Sequence, residues 1–218
     1  LIGLLRSMVD KSVYSCQHSI TSIKIVLRTD MSSKRQLLIS TAFKLFYKKG
    51  IHAVGINEIL AESGVAKKTL YNHFSSKEAL LLAVLQYRDE IYCQWLQSEF
   101  DKADRGVAKI DALFSALDNW FNDRTQVLAL FHGCFFINVS AEYGELNSLI
   151  HQQCIHHKIR VESIIREAVK TLTEDPERIA EITQTLCYLK EGATVKAHVQ
   201  GDKKSALNAR EIAIKIIS

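Results

Sequence analysis

The sequence predicts an all-α fold. Only one proline and nine glycines occur in its 218 residues, so few positions would interrupt a helix. Apolar residues recur three and four positions apart along most of the chain, which is the spacing of an amphipathic helix. The only short β-like run is IKIVL at 23–27. We therefore expect a small helical amino-terminal domain over 32–78 and a larger helical domain over 79–218.

The first predicted helix spans 33–49 and places Leu38, Ala42 and Phe46 on one face. That face is expected to form the core of a three-helix amino-terminal domain.

Two short helices over 56–63 and 67–73 follow, and together they predict a helix-turn-helix. Gly64 ends the first of them, because glycine accepts the left-handed conformation that stops a helix. Leu70 and Phe74 point inward from the second helix, which leaves it a basic and polar outer face. In a helix-turn-helix this second helix lies in the major groove of DNA.

The larger domain is predicted to consist of six further helices. Ser75 or Ser76 caps the first of them, and Pro176 suits the first position of the fifth. The predicted helices span 77–100, 107–121, 125–141, 145–172, 176–199 and 204–217.

Residues 34–80 resemble the DNA-binding domain of the TetR family of bacterial transcriptional repressors. The segments RQLLISTAFKLFYKKG, INEILAESGVAKKTLYNHF and SSKEAL carry the resemblance, with Tyr71, Phe74 and Lys77 at the family's spacing. The family usually has Thr or Ser where this chain has Val54-Gly55, so a phosphate contact there would come from backbone N–H groups. The resemblance implies a homodimer that binds a near-palindromic operator.

Eight residues of the amino-terminal domain are candidate contacts to double-stranded DNA. They are Gly55, Lys67, Lys68, Thr69, Tyr71, Asn72, His73 and Lys77. The lysines and threonine that open the second helix carry donors for guanine and phosphate acceptors. The resemblance implies that Tyr71 and Lys77 bind the DNA backbone. Packing between helices is the alternative for Tyr71 and His73, and a solvated surface position is the alternative for Lys77.

Basic residues are concentrated near the predicted helix-turn-helix. Residues 31–80 hold eight Lys and Arg against three Asp and Glu, whereas residues 81–218 hold sixteen against nineteen. A basic module joined to a slightly acidic body is typical of a DNA-binding domain attached to a second domain. Random clustering of surface lysines is the alternative.

The stretch FHGCFFINVSAEY at 131–143 is densely apolar and aromatic, and we expect it to lie on a buried helix. Polar groups in such a stretch need partners, and a pocket with one or two of them on an apolar wall is typical of a small-molecule site. We expect a largely apolar effector whose polar group meets Asn138. The expected pocket residues are Trp95, Phe131, Cys134, Phe135 and Asn138. Simple core packing is the alternative.

The last two predicted helices are expected to form the interface of the homodimer. Leu186, Leu189, Ala193 and Ala197 make an apolar stripe with small residues, and Ile212 lies on the helix beside it. An exposed stripe of this size would be unusual on a monomer.

The cysteine and histidine patterns are also compatible with a regulator that senses a different kind of signal. Five cysteines are odd in number and lack a CxxC pair, which predicts reduced thiols. The segment HQQCIHH at 151–157 contains possible metal ligands, but four ligands at the spacing of structural zinc are not present. No metal or cofactor is therefore expected. A redox- or metal-sensing regulator that uses Cys134 or Cys154 is the alternative, and a helical interaction module without DNA binding is a further one.

Several other classes are not expected. The sequence has no phosphate-binding Gly loop, nucleophile elbow or HExxH motif, which disfavours an enzyme. No run approaches the ~20 apolar residues that span a bilayer, so we expect a cytoplasmic protein without a membrane partner. Residues 1–31 lack sustained periodicity, and we expect an extension or a disordered tail there. The sequence thus predicts a ligand-responsive transcriptional regulator, namely a repressor that a small molecule releases from its operator.

Overall fold

The computed structural model describes residues 33–217, and this range contains nine helices and no strand. The helices are α1 (Ser33–Lys49), α2 (Ile56–Ser63), α3 (Lys67–His73), α4 (Lys77–Asp101), α5 (Val107–Phe121), α6 (Phe135–Glu142), α7 (Leu149–Val169), α8 (Pro176–Val199) and α9 (Ser205–Ile217). The predicted all-α fold is confirmed. The tail expected over 1–31 lies outside the described residues. Within them, no helix has the length and apolar character needed to cross a membrane.

Helices α1 to α3 and the start of α4 enclose one hydrophobic core. Phe46 of α1, Ile59 of α2 and Leu70 of α3 are almost completely buried in it. Gly64 ends α2 in the left-handed region with a φ of 65°, and its N–H donates to the Leu60 carbonyl at 2.9 Å. The turn between α2 and α3 therefore has the conformation that the glycine predicted.

This amino-terminal core extends beyond the first four helices. Phe135, Phe136 and Val139 of α6 and Ile150 of α7 belong to it. A second core joins the rest of α4 with α5, α7, α8 and α9. Helix α6 therefore packs directly against the helices of the amino-terminal domain.

Helices α8 and α9 pack together through small residues within the chain. Ala193 and Ala197 of α8 are buried, as are Ala206 and Ala209 of α9. The Ser205 hydroxyl donates to the Ala193 carbonyl at 2.8 Å. Small side chains at the contact let two helices approach closely, so this stripe of α8 is already covered by α9.

The helix predicted over 125–141 is wrong for most of its length, because α6 begins only at Phe135. Residues 122–134 instead form an irregular segment. Asp123 and Gly133 in this segment have φ values of 57° and 81°. These values lie in the left-handed region and cannot continue a right-handed helix.

Side chains supply hydrogen bonds that a helix would otherwise have formed in segment 122–134. The Asp123 carboxylate accepts from the N–H of Phe131 at 2.7 Å. The hydroxyl of Tyr47, on α1, accepts from the N–H of His132 at 3.1 Å. The segment therefore satisfies its backbone through partners that a local pattern cannot reveal.

Helix α7 is also shorter than the predicted 145–172. The Ser148 hydroxyl caps it by accepting from the N–H of His151 at 3.2 Å, and the helix ends at Val169.

We expect Gly133→Ala to lower the free energy of unfolding by about 1–3 kcal/mol, because a residue with a Cβ is strained in the left-handed region. A Cβ at this position would also lie 2.4 Å from Nδ1 of His198. Urea denaturation followed by circular dichroism measures the change. Gly144→Ala is the matched control, since nothing lies within 4 Å of a Cβ there. Equal stability of the two variants would contradict this account of Gly133.

Candidate DNA-binding surface and effector site

Helix α3 presents the predicted donors on its outer face. Lys67, Lys68, Tyr71 and Asn72 are exposed, whereas Leu70 is fully buried beneath them. Burial of the inward residues holds the orientation of this short helix, so the outer face does not depend on the helix being stable by itself.

The other candidate contacts from α3 and α2 border this face. Thr69 and His73 are half-buried. Gly55 is the N-cap of α2, with φ −88° and ψ 160°, and no side chain caps this helix end. The N–H groups of the first turn of α2 are consequently not used by a capping side chain.

Lys77 is partly engaged within the domain. Its ammonium donates to the Ile51 carbonyl at 2.6 Å and lies 5.8 Å from the ring centroid of Phe46. An ammonium has three donors, so this bond leaves Lys77 able to bind a phosphate as well.

The carboxylate of Glu142, at the end of α6, binds the turn that follows α1. It accepts from the N–H groups of Ile51 at 2.8 Å and His52 at 2.6 Å. The His52 ring lies 2.7 Å from the same carboxylate and stacks on Tyr143. Burial opposes ionisation of Glu142, but the hydrogen bonds from His52 and Ile51 outweigh it and hold the pKa of Glu142 below its ordinary value.

Tyr47 makes a second polar connection between α1 and the rest of the chain. Its hydroxyl donates to the Gly133 carbonyl at 2.6 Å and accepts from the N–H of His132. Burial raises the pKa of Tyr47 to about 12, so the hydroxyl keeps its proton. Sequence reasoning missed both Tyr47 and Glu142, because their partners lie 85 to 91 positions away.

The structure does not bring the five predicted effector residues to one cavity. Trp95 lines a surface cavity of about 250 Å³, together with Arg124. Phe131 packs against other aromatic rings of the core. The Asn138 amide donates one of its two N–H groups to the His132 carbonyl at 3.1 Å, and Asn138 lines neither this cavity nor the smaller one described next.

Cys134 and Phe135 line a different and smaller space, which we call the interior cavity. Its volume is about 10 Å³, room for about one water molecule. The wall also includes Arg88, Tyr92, Trp120 and His157. The cavity lies beside the start of α6, whereas Glu142 at the other end of that helix binds the turn after α1 in the amino-terminal domain.

The histidines and cysteine of 151–157 do not converge. His151 bonds to the Tyr143 carbonyl, and Cys154 is buried in the amino-terminal core. His157 bonds to Asp89 at 2.6 Å, and burial lowers the pKa of this histidine below its ordinary value.

A different group of three possible ligands meets at Asp89, Cys93 and His157. The Asp89 carboxylate in this group already accepts from Arg160 at 2.9 Å. The guanidinium neutralises the one anionic ligand, so the cluster is accounted for as a hydrogen-bonded network between α4 and α7.

Three of the four cysteines in the described range resist ionisation. Burial raises the pKa of Cys93 and Cys154 to about 12, and that of Cys187 to about 11. Cys134 is half-buried, and its sulfur lies 3.5 Å from the ammonium of Lys158. A thiol needs to ionise before it reacts. A redox-sensing regulator would therefore use Cys134 and not Cys154.

Three of the five residues of the predicted dimer stripe are buried within the chain. Leu186, Ala193 and Ala197 are at most 5% exposed, because they belong to the second hydrophobic core, which α9 helps to form. Leu189 is half-buried, and Ile212 is 47% exposed.

A different set of apolar side chains is exposed on the last two helices. Tyr188, Val195 and Val199 lie on α8, and Ile212 and Ile216 lie on α9. The α8 residues are seven and four positions apart, so they share one side of that helix. We call the side of α8 that carries Tyr188, Val195 and Val199 the exposed α8 face.

Comparison with known proteins identifies the amino-terminal helices. Residues 38–84 match the family model for bacterial regulatory proteins of the tetR family. The HTH-type transcriptional activator FasR of Mycolicibacterium smegmatis is 36% identical over 96 residues, which cover 42% of this chain and 44% of that protein. The uncharacterized HTH-type transcriptional regulator YuxN of Bacillus subtilis is 28% identical over 166 residues, covering 74% of this chain and 53% of YuxN. The chain thus spans about half the length of these two relatives.

Solved structures share the fold over most of the described residues. A TetR-family transcriptional regulator from Streptomyces coelicolor superposes with a TM-score of 0.74 at 26% identity, covering 85% of this chain and 96% of that one. The reduced form of Escherichia coli NemR gives a TM-score of 0.71 at 24% identity, covering 85% of this chain and 97% of that one.

Proposed function

This chain is a TetR-family transcriptional regulator, and from that premise we propose that it is a repressor that binds operator DNA as a homodimer. We further propose that a small molecule bound in the carboxy-terminal domain releases it from the operator. The observation that carries the proposal is the donor-rich face of α3, held outward by the buried Leu70.

Helix α3 would enter the major groove, with Lys67 and Lys68 near the base edges and the adjoining phosphates. Tyr71 and Lys77 would bind phosphates on either side, and the backbone N–H groups after Gly55 would supply a further contact. Two copies of this surface are needed to read two half-sites about one helical turn apart.

We expect Lys68→Ala to weaken operator binding and to reduce the slope of log affinity against log salt by about 0.9, as for the loss of one phosphate contact. The operator is first selected from random DNA with the wild-type protein, and affinity is then measured by fluorescence anisotropy at several salt concentrations. Lys170→Ala is the matched control, because this exposed lysine lies at the end of α7. Unchanged affinity and slope in Lys68→Ala would refute the assignment of α3.

The exposed α8 face supports the dimer. Exposed apolar side chains grouped on one face mark an interaction site. Binding to two half-sites of an operator requires a second copy of the chain, with its DNA-binding domain at a fixed distance from the first. We therefore assign this face to the homodimer interface, in place of the stripe that includes Leu186.

We expect Val195→Glu to give a folded monomer at micromolar concentration, because the new carboxylate would be buried without a partner between two copies. Val107→Glu is the matched control, since both valines are 46% exposed. Sedimentation velocity separates monomer from dimer. A Val195→Glu dimer as stable as the control dimer would place the interface elsewhere.

Helix α6 offers a route from an effector to the DNA-binding domain. One end borders the interior cavity, and the other holds the turn after α1 through Glu142. An effector that displaces α6 would change the position of α3, the helix that we propose enters the major groove. A coupling of about 1–3 kcal/mol would alter operator affinity about 5–150-fold, which is sufficient for a switch.

We expect Glu142→Gln to loosen the turn after α1, because the amide lacks the charge that strengthens the bonds to Ile51 and His52. Losing about 1–3 kcal/mol of local stability would speed amide hydrogen exchange at these two residues about 5–150-fold. Residue-resolved exchange by NMR measures this change. Glu145→Gln is the control, since its carboxylate is exposed and close in sequence. Equal protection in both variants would remove Glu142 from the proposed route.

Redox sensing through Cys134 is the second candidate, favoured by the ammonium of Lys158 beside its sulfur. Hydrogen peroxide, which oxidises a single thiol to a sulfenic acid and is itself reduced to water, would support this candidate if it releases DNA from the wild type but not from Cys134→Ser.

A further inference from the structure

Arg88 on α4 is a buried cation that lacks an anionic partner. The residue is 2% exposed and lines the interior cavity. Its guanidinium lies 5.3 to 5.8 Å from the ring centroids of Phe43, Tyr47, Tyr92 and Trp120. Within residues 33–217 it has neither a carboxylate nor a hydrogen-bond acceptor at bonding distance.

The neighbouring carboxylate does not fill this role. Asp89 follows Arg88 in the sequence, but it is bonded to His157 and to Arg160. Burial lowers the pKa of Arg88 from its ordinary value, because a cation is less stable away from water. An arginine nevertheless stays charged in a protein, so the cavity contains a positive charge that only aromatic faces offset.

A second donor beside the same cavity also lacks an acceptor. The indole N–H of Trp120 is buried without a hydrogen-bond partner among the described residues. Trp120 is 2% exposed and lines the interior cavity with Arg88. Buried polar groups are ordinarily paired. Two unpaired donors at one cavity therefore indicate that a ligand with a hydrogen-bond acceptor binds there in the functional protein.

The charges around the cavity favour an anion. Lys190, which is 4% exposed, also lines the cavity and is paired with Glu191 at 2.7 Å. Glu191 is shared with Lys158 at 2.8 Å. One carboxylate therefore serves two ammonium groups, and Arg88 adds a further positive charge. Tyr92 and Phe135 supply aromatic faces beside these cations.

We propose that the interior cavity binds the carboxylate of a small organic acid with a flat apolar body. The guanidinium of Arg88 pairs with the carboxylate, Trp120 donates its indole N–H to it, and the rings of Tyr92 and Phe135 pack against the body of the acid. This proposal rests on the proposed effector-controlled function and names the class of the effector. It replaces Asn138 with Arg88 as the group that meets the polar end of the ligand.

The size of the cavity links binding to movement. A space of about 10 Å³ cannot hold an aromatic acid, so the wall has to open. Cys134 and Phe135 in that wall begin α6, and Gly133 beside them bonds to Tyr47 of the DNA-binding domain. Opening at this point shifts the two connections, through Tyr47 and Glu142, that hold the DNA-binding helices.

Benzoate and benzamide test the proposal directly, because they share a shape and differ in charge. Binding to the full chain without DNA is measured by isothermal titration calorimetry and by tryptophan fluorescence. We expect benzoate to bind the wild type at least about tenfold more tightly than benzamide, since hydrogen bonds to charged groups are the strong ones. Arg88→Met should lose at least about tenfold in benzoate affinity.

Two further variants keep the result interpretable. Arg124→Met removes a cation from the surface cavity instead, and it should leave benzoate binding unchanged. Trp120→Phe retains the aromatic ring but lacks the N–H, so it should weaken benzoate more than benzamide, because a hydrogen bond to a charged acceptor is the stronger one. This second variant decides the question if Arg88→Met does not fold.

The opposing results are equally specific. Equal affinity for benzoate and benzamide, or benzoate binding retained by Arg88→Met and Trp120→Phe, would overturn the proposal. Loss of benzoate binding in Arg124→Met alone would move the site to the surface cavity. Failure of both benzoate and hexanoate to bind the wild type would exclude the ligand class. Operator binding without ligand is measured separately, so a protein that binds the operator but no acid refutes only this inference.

Discussion

Two polar side chains hold the DNA-binding helices against the rest of the chain, and the function proposed here depends on them. Tyr47 reaches from α1 to the backbone of segment 122–134, and Glu142 reaches back from α6 to the turn after α1. Apolar contacts between the same elements allow small sliding movements, but hydrogen bonds weaken steeply with angle and distance. A shift of α6 therefore either moves the turn after α1 or breaks bonds that are costly to leave unmade. The DNA-binding domain is thus placed by the same helix that borders the interior cavity.

The unpaired Arg88 has a cost that the fold does not recover through an ion pair. Removing a charge from water is unfavourable, and contacts with aromatic faces offset only part of this cost. Structures tolerate such groups where function requires them, and the neighbouring elements supply the missing stability. Tyr47 connects this feature to the DNA-binding domain, because its ring lies beside the Arg88 guanidinium and its hydroxyl binds Gly133. The charge in the cavity and the position of α1 are therefore linked through one side chain.

Helices α8 and α9 show how one apolar pattern can serve two surfaces. The small residues around Ala193 and Ala197 let α9 pack closely inside the chain. The larger side chains of Tyr188 and Val199 are left on the opposite side. This division follows from helix geometry, since a helix with apolar residues on two sides can bury only one of them against a single neighbour.

The sequence by itself determined the features whose causes are local. Most helix positions, the αL turn at Gly64 and the outer face of α3 follow from apolar spacing and from the conformational freedom of glycine, which act within a few residues. Only the tertiary structure decided that residues 122–134 are irregular, because their backbone partner Tyr47 is about 85 positions away. It also decided which side of α8 is covered, since a periodic pattern identifies an apolar side but not the element that packs on it. The tertiary structure likewise decided that Arg88 has no ion-pair partner among the described residues. No sequence pattern distinguishes it from Arg160, because the difference lies in which carboxylates the fold brings within bonding distance.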